Sequence, residues 1–194
     1  DTYSAISAAI GSLKGPRHGG ANIKVKHMMD ELLANIKDLT DEEEIADYLG
    51  KIITKDAGDG SGLIYGFGHA IYTLSDPRAK ILKKNAKKLS AEKGMTDIYE
   101  FYKRVEKLVP SVFENVKGSK KVICANVDFY SGFVYDMLGI ESDLFTPLFA
   151  VSRIAGWCAH RIEEITYGGR IIRPAYRSMV KPTGYVPLDE RTAD

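Results

Sequence analysis

TDIYEFYKRVEKLVPSVFENV, residues 96 to 116, sets Ile98, Phe101, Tyr102, Val105 and Leu108 three and four residues apart. An α-helix turns once in about 3.6 residues, so this spacing gathers them into one buried stripe. Working back toward the N-terminus, RAKILKKNAKKLSAEKG (78 to 94) keeps the rhythm and stops at Gly94. Pro77 suits a first helical turn, with Ser75 or Asp76 before it as the cap. The pattern fails across the glycine-punctuated stretch Asp56 to Phe67. Before that, LTDEEEIADYLGKIIT (39 to 54) opens on a threonine cap with acids in the first turn, where the helix dipole favours them. Val25, Met28, Met29, Leu32, Leu33 and Ile36 form another stripe. Tyr3, Ile6, Ile10 and Leu13 form the first, with Asp1 as cap and Gly15-Pro16 as stop. Toward the C-terminus, a long helix should run from Pro147 to about Tyr167. KVICANVDF (121 to 129) is the one candidate strand, and the glycine-rich stretches allow a small β-hairpin. The segment VKPTGYVPLDERTAD should be irregular and on the surface. The fold class is therefore all-α.

The chain has 194 residues, enough for one domain or two small ones. Its 44% apolar and 27% charged residues are ordinary for a globular protein. Lys plus Arg number 27 against 26 acids, a net charge of +1, which points away from nucleic acid and anionic membranes as partners. Cys124 and Cys158 are far apart and in no metal-ligand spacing; two reduced thiols are expected, with a disulfide as the alternative. There is no apolar run of membrane-spanning length and no signal-peptide pattern. The expected compartment is cytoplasmic, with the mitochondrial matrix as the alternative.

Four stretches carry candidate chemistry. In GPRHGGAN (15 to 22), glycines flank His18 ahead of a helix start. Glycine lets backbone approach a ligand, and helix-start N–H groups favour a neutral imidazole; the alternative is a plain turn with a capping histidine. In LIYGFGHAIYTLSDPR (63 to 78), His69 sits in a glycine-rich loop and Arg78 falls in the first turn of a helix. A cation there opposes the dipole, which leaves three possibilities: solvation, an acid partner, or a bound anion. In NVDFYSGFVYDMLG (126 to 139), Asn126 can cap and Asp128 can be either a first-turn acid or a base in apolar surroundings. In PLFAVSRIAGWCAHRIEE (147 to 164), Arg153 shares a face with Phe149 and Trp157. A guanidinium there must snorkel, pair with an acid or hold an anionic ligand. GGRIIRPAY adds Arg173 in extended chain before a proline. His27 and His160 read as surface or satisfied histidines. Together these residues point, on chemistry alone, toward binding of a polycarboxylate and proton abstraction beside a carbonyl.

GPRHGGAN, GFGHAIYTLSDPR, NVDFYSG, FAVSRIAGW and RP, in that order over positions 15 to 174, resemble the C-terminal half of citrate synthase. The resemblance implies an all-α homodimer with a shared active site, condensing acetyl-CoA with oxaloacetate and water to citrate and CoA, with no permanently bound cofactor. It implies segments 1–19 and 140–194 of the large domain, and a small, CoA-binding domain at 20–139. By the same resemblance Asp128 matches the base, His18 the residue that stabilises the enol, and His69 the residue that polarises the ketone. Arg78 and Arg153 match the dicarboxylate-holding arginines, and Arg173 one that reaches the other subunit's site. Leu63, Tyr65, Gly66, Phe67 and Gly68 match the loop that meets CoA adenine, with Asn126 beside the base. A further oxaloacetate-binding histidine of the family has no counterpart here, so this stretch alone should be inactive or very weak, and prone to self-association. 2-Methylcitrate synthase, with propionyl-CoA, is the nearest rival. A citryl-CoA lyase module, against which the intact Asp-Pro-Arg argues, and a non-catalytic remnant are the others.

Overall fold

A computed structural model describes the chain except residues 15–19, 73, 120–122, 172, 174, 176–178, 180–183 and 192–194. Seven α-helices follow one another among the described residues: α1 (Thr2–Leu13), α2 (Ala21–Asn35), α3 (Glu42–Thr54), α4 (Pro77–Glu92), α5 (Thr96–Lys117), α6 (Val127–Met137) and α7 (Phe145–Tyr167). Short 3-10 turns lie at Ser142–Leu144 and Leu188–Glu190. No described helix is long and apolar enough to cross a membrane. The expected strand and hairpin are reduced to one antiparallel bridge, Phe67 with Ala125, among the described residues.

Side chains cap four of the seven described α-helices, α1, α3, α4 and α6. Asp1, Asp76 and Asn126 each accept a backbone N–H of the first turn that has no partner within the helix. The α3 cap is a correction: it is Asp41, whose carboxylate accepts from Glu43 and Glu44, and not Thr40. Thr40 instead donates to Asp38, so the threonine is spent one turn earlier. The last helix begins at Phe145, two residues before Pro147, because the 3-10 turn at Ser142–Leu144 leads straight into it.

The core is built by α2, α3, α5 and α6. Phe101, Val105 and Val109 of α5 meet Ile45, Leu49 and Ile53 of α3, all fully buried. The α5 stripe is turned slightly from the one read off the sequence. Val109 and Val112 are buried, while Ile98 and Leu108 pack at its edge. Aromatic rings close the α5–α6 contact: Tyr102 stacks on Phe133 at 4.7 Å, and Phe129 sits 5.4 Å from Tyr102. Burial pushes the Tyr102 phenol far above its usual range, so it stays neutral. Glu106 then joins three helices, accepting from Lys83 of α4 at 2.5 Å and from the Tyr130 hydroxyl of α6 at 2.6 Å.

α1 and α7 form a separate layer packed on each other. Much of the apolar surface of this layer is exposed. Leu13 is buried, but Tyr3 and Ile10 are exposed, and Phe145 alone of α7 is buried. The periodicity predicts the helices correctly; the face it marks is uncovered in this chain.

Candidate active site

The site is organised by the loop from Leu63 to Arg78. Gly66 has φ +82°, a left-handed conformation that glycine adopts without strain. A side chain there would place its first carbon 2.9 Å from both Phe129 Cβ and Val25 Cγ2. Glycine therefore lets this loop lie directly on the core. The Asn126 N–H donates to the Gly66 carbonyl (2.8 Å) and the Gly68 N–H to the Cys124 carbonyl (2.9 Å), which fixes the loop against the start of α6. Asn126 reinforces the join: its Nδ2 donates to the Gly68 carbonyl at 3.2 Å, while its Oδ1 accepts from the Asp128 N–H at 2.9 Å. One side chain thus caps the helix that carries Asp128 and holds the loop that carries His69.

His69 is oriented by backbone. Its Nδ1 accepts from the N–H groups of Ile71 (2.9 Å) and Tyr72 (3.0 Å). A nitrogen accepting two donors carries no proton, which assigns the proton of the neutral ring to Nε2. Tyr72 packs on the ring at 4.7 Å between centroids. Nε2 faces the Asp76 carboxylate at 3.9 Å and Arg78 at 3.3 Å. Nε2–H and the guanidinium are both donors, so the latter contact is proximity and leaves the proton to an acceptor placed between them.

Asp76 is the residue whose full part the sequence reading missed. Buried at the start of α4, it accepts from the Arg78 N–H at 2.9 Å and takes Nε and NH2 of the guanidinium at 3.1 and 2.8 Å. Arg78 holds the Asp76 carboxyl below its usual range, and Asp76 raises Arg78 in turn. So the first-turn cation is accounted for by an acid partner, with one carboxylate serving as helix cap and counter-ion. The signal was there in Asp-Pro-Arg: the cap residue and the second helical residue flank a proline that fixes the turn. The Arg78 side chain stays 51% exposed, open to a further anion. Asp128 is near enough to add to the field that raises Arg78, and it is half-buried at the start of α6.

The described structure thus brings together His69, Arg78, Asn126, Asp128 and the loop Leu63, Tyr65, Gly66, Phe67 and Gly68. His18 lies outside the described residues. Arg153 is exposed on α7, its guanidinium 5.4 Å from the Phe149 ring, beside a groove of about 300 Å³ shared with Ala9, Ser12 and Leu13 of α1. It snorkels rather than being buried. Arg173 is exposed as well. Cys124 and Cys158 are free thiols.

The family model described as citrate synthase, C-terminal domain, matches residues 1–175. The chain belongs to the citrate synthase family. Citrate synthase 2 of Bacillus subtilis is 42% identical over 193 residues, covering 98% of this chain and 46% of that protein. The 2-methylcitrate synthase of Shewanella oneidensis is 38% identical over 193 residues, covering 98% and 46%. Among solved structures, the ternary complex of Thermoplasma acidophilum citrate synthase with carboxymethyl coenzyme A and oxaloacetate superposes with a TM-score of 0.72. It shares 36% identity and covers 98% of this chain and 47% of that one. The chain spans about half the length of the curated relatives it matches. The all-helical citrate synthase fold is therefore the fold of this chain.

Proposed function

We propose that the protein carrying this chain is a citrate synthase, joining the methyl carbon of acetyl-CoA to the ketone carbon of oxaloacetate. The observation that carries the reading is the convergence of His69, Arg78 and the Asn126-capped start of α6 on one loop. Asp128, at that helix start, takes a proton from the methyl group, and the enol forms with His18 donating to the thioester oxygen. The enol carbon attacks the ketone. Nε2–H of His69, its position set by the two backbone donors on Nδ1, donates to the ketone oxygen as negative charge develops there. The exposed edge of Arg78 seats a substrate carboxylate while Asp76 fixes its plane. Water then cleaves the thioester to release CoA. CoA is a substrate here, met by the Leu63–Gly68 loop. Arg153 and Arg173 complete the dicarboxylate site once further parts of a homodimer cover α7. The division into 1–19, 20–139 and 140–194 belongs to the same reading. In its favour, the main core cluster runs from Val25 to Met137.

The test is release of free thiol by the protein carrying this chain, given oxaloacetate and either acetyl-CoA or propionyl-CoA. Asp128→Ala should lower the rate roughly 10²- to 10⁴-fold, the usual contribution of a positioned base. Near-normal release by that variant would remove Asp128 from the mechanism. Because a 2-methylcitrate synthase matches nearly as well as the citrate synthases, faster turnover with propionyl-CoA would move the assignment to that enzyme.

A further inference from the structure

The loop that enters the site is unusually free in its covalent make-up. Gly58, Gly60 and Gly62 all hold positive φ, at 76°, 72° and 74°. Such a chain has much conformational freedom to lose, and any ligand that ordered it would bind more weakly for doing so. The downstream end is fixed by the Phe67–Ala125 bridge. The upstream end is fixed by side chains. Asp59 Oδ1 accepts from the Ser61 N–H at 3.0 Å, and its Oδ2 accepts from the Tyr65 hydroxyl at 2.5 Å. Ser61 Oγ accepts from the Leu63 N–H at 3.2 Å and lies 3.2 Å from the same tyrosine oxygen. Lys24 reaches across from the first turns of α2. Its Nζ donates to Tyr65 Oη at 3.0 Å, pairs with Asp59 at 3.5 Å and sits 4.7 Å over the Tyr65 ring. A pocket of about 130 Å³ lies beside this network, with Met28, Ile52 and Leu63 in its wall.

We infer that Asp59, Ser61, Tyr65 and Lys24 form a clasp that holds the Leu63–Gly68 loop in its acyl-CoA-receiving shape before CoA arrives. The inference rests on the function proposed above. These are positioning residues: they bind the loop to α2 and touch no reacting atom. The geometry explains why a tyrosine stands in so glycine-rich a stretch. Its hydroxyl is the single point where the loop's acid, the loop's serine and the lysine of the neighbouring helix meet. Hydrogen bonds to Ser61 and Tyr65 keep the Asp59 carboxyl far below its usual range. Asp59 is therefore ionised, and an acceptor for both donors, throughout the neutral range.

The experiment compares Tyr65→Phe, Asp59→Asn and the double variant in the protein carrying this chain. Acyl-CoA and oxaloacetate are varied separately, and CoA binding is measured by calorimetry. Each single variant should raise the KM for acyl-CoA and the Kd for CoA by about 3- to 20-fold, the scale of a few side chains ordered on binding. The KM for oxaloacetate and kcat should stay within about twofold. The double variant should be no worse than the poorer single one, because both open the same contact. Equal rises in both KM values, a loss confined to kcat, additive losses, or unchanged CoA binding would each overturn the clasp. Circular dichroism checks the fold; if Asp59→Asn unfolds the protein, Ser61→Ala, which lies in the clasp but outside the CoA-meeting loop, takes its place with the same readouts. Unmodified protein that binds no CoA would overturn the proposed function itself, and the clasp with it.

Discussion

At the scale of single residues, the site depends on side chains that do two things at once. Gly66 is one case, because it needs both a left-handed backbone and the absence of a side chain. Gly66→Ala should destabilise the protein by about 2–4 kcal/mol, adding backbone strain to a clash with Phe129 and Val25. Gly60→Ala is the control: φ is similar, but nothing lies within 4 Å, so the loss should be only about 1–2 kcal/mol. Urea melts of the two variants separate strain from crowding; equal losses would mean that the loop does not rest on the core as described. Asp76 is the second case. Its carboxyl is held below the usual range by Arg78, so its contribution is complete above the unfolded value of about 3.9. It fades as pH falls through the lower, folded value. Asp76→Asn should therefore cost about 1–2 kcal/mol at pH 6 to 8. The gap to the unmodified protein should narrow below about pH 4, and a gap that widened toward acid would refute the pairing. Residue type and neighbours mark His69, Arg78 and Asp128 as candidates, each with a plain structural alternative, and the family resemblance is what gives them roles. The Asp76–Arg78 pair could not be settled that way, because solvation, an acid and a bound anion all satisfy a first-turn cation, and only geometry chooses among them.

At the scale of elements, helices are readable from an apolar stripe, as in α2 and α5, or from a capping residue, as in α4 and α6. α2, α4 and α5 follow their apolar spacing, and Asp76 and Asn126 stand where the capping rules put them. The misses have local causes. Thr40 and Asp41 are adjacent and both able to cap; the carboxylate takes the two free N–H groups while the hydroxyl turns back to Asp38. The expected strand at Lys121–Phe129 pairs at Ala125 with a loop whose glycines turn away at once, so no ladder forms among the described residues. Pro110 lies inside α5, where the sequence rules place a break; its ring faces solvent while Val109 and Val112 on either side are buried in the core. The join between α6 and the loop gives a sharp test, because it distinguishes a cap from a strap. Aspartate caps a helix about as well as asparagine. At position 126, however, it would put a carboxylate oxygen where Nδ2 now donates to the Gly68 carbonyl. Asn126→Asp should thus cost at least as much stability as Asn126→Ser, about 1–3 kcal/mol, where capping alone predicts little loss for either. Thermal melts of the two would decide, and an Asp variant as stable as the parent would show that the strap contributes nothing.

At the scale of the whole molecule, the chain has one well-filled core and one layer left bare. Val151, Ile154, Ile162 and Ile165 recur along α7 at helical spacing, yet Val151 is 69% exposed and Ile162 64%. On α1, Tyr3 and Ile10 are exposed as well. An exposed apolar helix face of this kind draws another surface onto itself, because each buried Val or Ile side chain contributes about 1.5–3 kcal/mol. The sequence marks this face as clearly as it marks the buried stripes of α2 and α5. Periodicity reports that a face is apolar and says nothing of which surface covers it. The consequence is measurable on the 194-residue chain by itself. Sedimentation equilibrium should give a mass above the 21.5 kDa of one copy, rising with concentration. Ile154→Glu with Ile162→Glu should return it to a single copy without loss of helicity, since neither side chain belongs to the core. The same bare layer carries Arg153, which makes the catalytic expectation parallel to the physical one. On the function proposed above, a chain whose α7 face is uncovered should release thiol far more slowly than one whose face is covered, and the two glutamates should leave that residual rate unchanged. A monomeric 194-residue chain with full thiol release would show that the covered face is needed for neither shape nor chemistry.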